Sequence, residues 1–135
     1  MNHVKRFAVV AAAAAAITLG VTTSASALTT WTDTPDSCGF AQFKSDGDNF
    51  RILDACKDGR GVRLEWTQPT KGLASTSDPR TYVDYTGGYN GLDFAEGHLV
   101  NEDFAEGACF YFRVGLEDGG TYVSGTYSPW ELACA

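Results

Sequence analysis

Beyond residue 27 the chain is a succession of short segments in which apolar and polar residues alternate. In "VRLEW" (62–66), Val62, Leu64 and Trp66 alternate with Arg63 and Glu65, the period of a strand with one face in a core and one in water. "ACFYFRVGL" (108–116) is the most strongly patterned stretch. It aligns Phe110, Phe112, Val114 and Leu116 on one face and Cys109, Tyr111 and Arg113 on the other. "NFRILDA" (49–55) puts Phe50 and Ile52 opposite Arg51 and Leu53, "TYVDYT" (81–86) is a further strand, and "CGFAQFK" (38–44) a weaker first one. Turn signals separate them: "SDGD" at 45, "KDGRG" at 57, "TGGYNG" at 86 and "LEDGG" at 116. The strands at 49–55 and 62–66 are expected to pair as a hairpin through "CKDGRG", with Asp58-Gly59 supplying the positive backbone dihedrals of a tight turn. "TYVSGTYS" (121–128) should fold back on 108–116 as a second hairpin. No segment reads as a long helix. The pattern predicts an all-β fold, an antiparallel, immunoglobulin-like two-sheet sandwich of six or seven short strands. "TQPTKGLASTSDPR" (67–80), the longest unpatterned stretch, is expected to be a surface loop joining the two halves.

The first 27 residues stand apart. Lys5 and Arg6 precede an apolar, alanine-rich run from Phe7 to Leu19; Gly20 ends it, and Ala25-Ser26-Ala27 offers a small-residue cleavage site. This is the pattern of a secretory signal peptide over 1–27, with a secreted domain at 28–135. The apolar run is short for the ~30 Å of hydrocarbon that a helix must cross. No later stretch is apolar enough to span a membrane, so a soluble extracellular monomer is expected. Without Lys5 and Arg6 the balance is 8 basic against 17 acidic residues, a net −9. That disfavours nucleic acid, which is bound by basic side chains that displace its counterions.

Export changes the meaning of the cysteines. Cys38, Cys56, Cys109 and Cys134 would meet an oxidising compartment, and four cysteines allow three pairings. Cys38–Cys56 and Cys109–Cys134 are favoured because each closes a local loop, a link contributing on the order of 3 kcal/mol in the chain-entropy model. A zinc site would call for closer pairs than these spacings give.

Candidate chemistry is sparse. The pentapeptide Asp-Phe-Ala-Glu-Gly occurs twice, at 93–97 and 103–107. Asp93 with Glu96, and Asp103 with Glu106, have the spacing of a capped single helical turn that glycine then stops. Calcium on these carboxylates is the alternative, but neither they nor "DGDNF" (46–50) matches an EF-hand loop, so no cofactor is expected. His98 is the one histidine beyond the leader, and no G-x-S-x-G elbow accompanies it; catalysis is not expected. Tyr82, Tyr85, Tyr89 and Asn90 cluster in "TYVDYTGGYNG" and could present flat faces to a sugar or a protein. Trp31 and Trp130 stand near the ends of the exported segment. The 67–80 loop, with Lys71 and Arg80, could serve as bait for a protease, although it lacks the C-P-x-x-Y-D-P region of the bacterial subtilisin inhibitors and a cysteine close by to brace it.

"DGDNFRILDACKDGRGVRLEW" resembles the small exported β-sandwich proteins of actinobacteria through Asp54, Asp58, Gly59 and Val62. "EGACFYFRV" extends the likeness through Glu106, Gly107, Phe112 and Arg113. About half of the exported segment takes part. The resemblance implies a sandwich fold and export and assigns no catalytic residue. The expected function is a secreted, non-catalytic binding domain for an extracellular protein or cell-surface carbohydrate. The alternative is a secreted inhibitor of an extracellular hydrolase.

Overall fold

The computed structural model describes residues 28–135; the predicted leader at 1–27 lies outside the described residues. Nine strands among the described residues build two antiparallel sheets, with no α-helix. One sheet has the order β1 (Thr29–Asp33), β2 (Gly39–Lys44), β3 (Asn49–Asp54), β6 (His98–Asn101). The other runs β5 (Arg80–Tyr85), β4 (Gly61–Thr67), β7 (Cys109–Asp118), with β8 (Thr121–Tyr122) and β9 (Glu131–Cys134) both paired to β7. The chain changes sheet at β3–β4, β5–β6 and β6–β7, an immunoglobulin-like path.

The core is the sum of the inward rows. Ala41 and Phe43 on β2, Phe50 and Ile52 on β3, Val62, Leu64 and Trp66 on β4, and Phe110, Phe112, Val114 and Leu116 on β7 are buried together. Its centre is aromatic: Phe43 meets Phe110 edge-on at 4.9 Å, and Phe104, outside any strand, meets Phe110 at 4.9 Å. These inclined contacts suit the ring quadrupole and add to the burial of apolar area.

Several expectations are corrected. β3 and β4 do not form a hairpin; they lie in different sheets, because their apolar rows face each other across the core rather than side by side. The 55–60 segment carries the chain over the ~10 Å between sheets, and of Asp58-Gly59 only Gly59 takes a positive φ, +81°. Asp58 instead accepts from the Arg60 N–H through Oδ1. The 67–80 stretch does not join the two halves: it closes the β4–β5 hairpin within one sheet. Only Thr121–Tyr122 of the predicted second hairpin strand pairs as a ladder. Beyond it, hydroxyl groups take over, with the Val114 N–H donating to Ser128 Oγ and the Leu116 N–H to Thr126 Oγ1. β1, β6 and β9 were not predicted. They are edge strands of five, four and four residues, too short to show an alternation.

The expected wet face of β4 is buried as well: Arg63 and Glu65 are 9% and 7% exposed. Arg63 forms a two-pronged pair with Asp84 of β5 at 2.6 and 2.7 Å and stacks on Tyr82 at 4.1 Å. Glu65 accepts from Arg113 at 2.9 Å and faces Arg80 at 3.5 Å. Arg113 stacks on Tyr127 at 3.7 Å and on Trp130 at 4.2 Å. Burial and the adjacent Glu65 carboxylate push the Tyr127 phenol up to about 12. Gly115 makes the layer possible, since a Cβ there would meet the Tyr127 ring at 2.7 Å.

The disulfides are Cys38–Cys56, between the ends of β2 and β3, and Cys109–Cys134, a directly opposed pair on β7 and β9. Each lies within one sheet, so the sheets themselves are held together by the core. Removing Cys109–Cys134 by a double alanine substitution should lower stability by about 3 kcal/mol, read from urea unfolding midpoints. Glu65→Leu should cost about 3 kcal/mol by leaving Arg113 without its carboxylate, and adding Arg113→Leu should recover part of the loss.

Candidate functional site

Where β3 hands over to β4, the turn between the sheets, the 86–91 loop and the β7–β8 turn leave a cleft of about 470 Å³. That is within the ~300–1,000 Å³ of small-molecule sites. Asp54, Lys57, Arg60, Tyr89 and Glu117 contribute functional groups to its lining, between Gly59, Gly61, Gly88 and Gly119. The glycines have a use here: in a cleft floored by bare backbone, carbonyls and N–H groups are within a ligand's reach.

Two of the lining side chains are buried carboxylates. Asp54, at the end of β3, is 2% exposed. Its Oδ1 accepts from the Cys56 N–H at 3.2 Å, and its Oδ2 has no hydrogen-bond partner. Burial raises its carboxyl above the ordinary 3.8; the Cys56 N–H works against the shift and the charge of Asp58 adds to it. Glu117, at the end of β7, is also 2% exposed, and its Oε2 accepts from the Gly120 N–H at 2.7 Å. It lies opposite Gly61, where a Cβ would run into the Glu117 carboxylate and the Tyr85 carbonyl. Against these acids stand Lys57 and Arg60, both exposed. Lys57 Nζ sits 4.8 Å from the centre of the Tyr89 ring.

Asn90 positions this wall. Its Oδ1 accepts from the Asp54 N–H at 2.7 Å, its own N–H donates to the Asp54 carbonyl, and its Nδ2 donates to the Ile52 carbonyl at 3.2 Å. It thereby continues the pairing of β3 past the end of β6, which stops at Ile52 opposite His98. The 86–91 loop is pinned to β3, and Tyr89, 49% exposed, is held beside the cleft.

The predicted tyrosine surface is divided. Tyr82 lies over Arg63 on the outer face of its sheet. Tyr85, one strand position of opposite parity, packs on the core and stacks on His98 at 4.9 Å. Only Tyr89 and Asn90 belong to the cleft, the first as a lining ring and the second as its anchor. His98 is exposed and outside the lining. The two Asp-Phe-Ala-Glu-Gly copies differ in conformation. The first is a single 3-10 turn, Phe94–Glu96, capped by Asp93, whose Gly97 has a φ of −64°. The second ends in Gly107 at +74°. Asp48 of "DGDNF" anchors the second copy's segment, since its Oδ2 accepts from the Phe104 N–H. Among the described residues no three His, Cys, Asp or Glu side chains gather as a metal site. Trp31 is 56% exposed, and Trp130 is half-buried against Arg113.

The sequence alone did not single out Glu117 or Arg60, and it named Asp54 only among the residues that carry the family resemblance. The usable signal was an acid at the end of an apolar strand: Asp54 directly follows Ile52-Leu53, and Glu117 directly follows Leu116.

Because Asp54 holds its proton more tightly in the fold than in the unfolded chain, its contribution to stability is complete at low pH. It is lost as pH rises from the ordinary carboxylate value through the raised one. Asp54→Asn keeps the Oδ1 acceptor and removes the charge. Its unfolding free energy relative to the parent should therefore grow between about pH 3 and pH 7, measured by urea titration. No protein-family model, curated protein or solved structure matches the chain.

Proposed function

We propose that the chain is a secreted, monomeric, non-catalytic binding domain whose cleft takes a neutral polyhydroxylated ligand, a saccharide unit of the extracellular surroundings. The observation that carries this reading is the cleft of about 470 Å³ with the Tyr89 ring, 49% exposed, held in its lining by the Asn90 bonds to β3. That ring suits the apolar face of a sugar. Two acids against two bases leave the lining near neutrality, which favours an uncharged ligand over an ion.

A binding role is favoured over hydrolysis by the state of Glu117. Its carboxylate is tied to the Gly120 N–H and packed under Gly61, an arrangement that fixes a wall rather than frees an acid. Export is supported by the leader pattern and by the two disulfides, and no helix among the described residues is long and apolar enough to cross a membrane.

Calorimetric titration of the 28–135 domain with neutral mono- to tetrasaccharides from cell walls should show saturable binding. Tyr89→Ala should weaken it about tenfold or more, equivalent to ~1.4 kcal/mol. Absence of heat and of any chemical-shift change at Tyr89 across the series would end this reading.

A further inference from the structure

The β4–β5 connection is unlike the other turns. Leu73 is 99% exposed, the highest value among the exposed large hydrophobic residues, yet the loop that carries it is braced on both sides. On the near side Thr70 pairs with Cys109 through both backbone hydrogen bonds, at 3.0 and 2.8 Å, and Cys109 is locked to Cys134. The Gly72 N–H also donates to Thr70 Oγ1. On the far side Asp78 accepts from the Ser75 N–H at 2.8 Å, and its own N–H donates back to the Ser75 carbonyl. Arg80 reaches the Thr76 carbonyl at 3.1 Å. The Gln68 N–H donates to the Pro79 carbonyl at 2.7 Å, closing the base. A disulfide cysteine therefore does brace this loop, through the backbone of Thr70.

Between the two braces lie only Leu73 and Ala74. An apolar side chain, 99% exposed, thus projects into water from a short span whose ends are fixed. Such a span loses little conformational freedom on binding, which is how a preorganised loop gains affinity. A concave surface that receives a braced loop and one projecting side chain is the cleft of a protease, where the primary pocket selects that side chain. Gly72 and Ala74, flanking Leu73, are small enough to let the walls of such a cleft close on the backbone.

We propose that the 68–79 loop is a protease-binding loop, with Leu73 as the side chain seated in the primary pocket of a secreted serine protease that prefers apolar residues. The bond presented to the nucleophile is Leu73–Ala74. Its hydrolysis would add water to give a Leu73 carboxylate and an Ala74 amine. The braces at Thr70 and Asp78 would keep both new ends in place, so the cut chain stays bound instead of leaving as product. The loop and the saccharide cleft are at opposite ends of β4, separated by about 20 Å of strand, so the two readings stand or fall separately.

The test uses the oxidised 28–135 domain against subtilisin, chymotrypsin and trypsin with peptide substrates. Stoichiometric inhibition of subtilisin or chymotrypsin is expected, with trypsin untouched. Leu73→Asp should weaken inhibition at least a hundredfold at unchanged melting temperature, and Leu73→Arg should transfer it to trypsin. The proposal is overturned if the parent inhibits neither apolar-pocket enzyme at micromolar excess, or if it is turned over rapidly at Leu73–Ala74 as an ordinary substrate. It also falls if Leu73→Asp inhibits as well as the parent, or if the parent inhibits trypsin through Lys71, as loss in Lys71→Ala would reveal.

Discussion

β4 must be buried on both faces while carrying an arginine and a glutamate, and most of the structure answers that constraint. Its inner face is covered by the aromatic core. Its outer face is covered by a layer of guanidinium groups on aromatic rings, with Asp84 and Glu65 supplying the countercharge. Desolvating a charge is expensive, and an ion pair offsets that only when its geometry is good and its remaining donors are satisfied. Arg63 meets the condition: both prongs reach Asp84, a further N–H reaches the Gly120 carbonyl, and the Tyr82 ring faces its plane. The layer is continuous from β5 to the segment leading into β9. It covers the edges of this sheet, of which the β9 edge is also tied to β7 by Cys109–Cys134.

This arrangement explains why Tyr82, Tyr85 and Tyr89 do not share one face. Tyr82, Tyr127 and Trp130 are partners of arginines, and Tyr85 is a core residue that also covers His98. Guanidinium–aromatic stacking is worth more as water is excluded. Once β4 became a central strand, its charges drew the aromatic side chains to themselves. Tyr89 escapes because it lies beyond the end of β5, on a loop that Asn90 ties to β3 instead.

What was legible in the sequence was local. Alternation located β2, β3, β4, β5 and β7, since each is six residues or longer and lets two or more inward residues recur, and Asp-Gly and Gly-Gly marked the turns. What was not legible was which strand lies beside which. A hairpin and a sheet-to-sheet crossing use the same turn residues, so "KDGRG" could not distinguish them; the difference lies in whether two apolar rows end up side by side or face to face. Period-two alternation likewise says that Arg63 and Glu65 point away from the core, but not that Asp84 and Arg113, residues 21 and 48 positions away from their partners, will cover them. The cleft was hidden for the same reason, because its lining comes from three separate turns.

Asp54 and Glu117 show how the fold distributes cost. Both are buried acids at strand ends, Asp54 with the parity of Phe50 and Ile52 and Glu117 on the face opposite Leu116. Glu117 is compensated by Gly61, which makes room, and by the Gly120 N–H. Asp54 is compensated only by half: Cys56 satisfies one oxygen and nothing satisfies the other. Its surroundings are fixed by Cys38–Cys56 on one side and by Asn90 on the other, so the end of β3 that carries this cost is held by one covalent link and by side-chain hydrogen bonds from a separate loop.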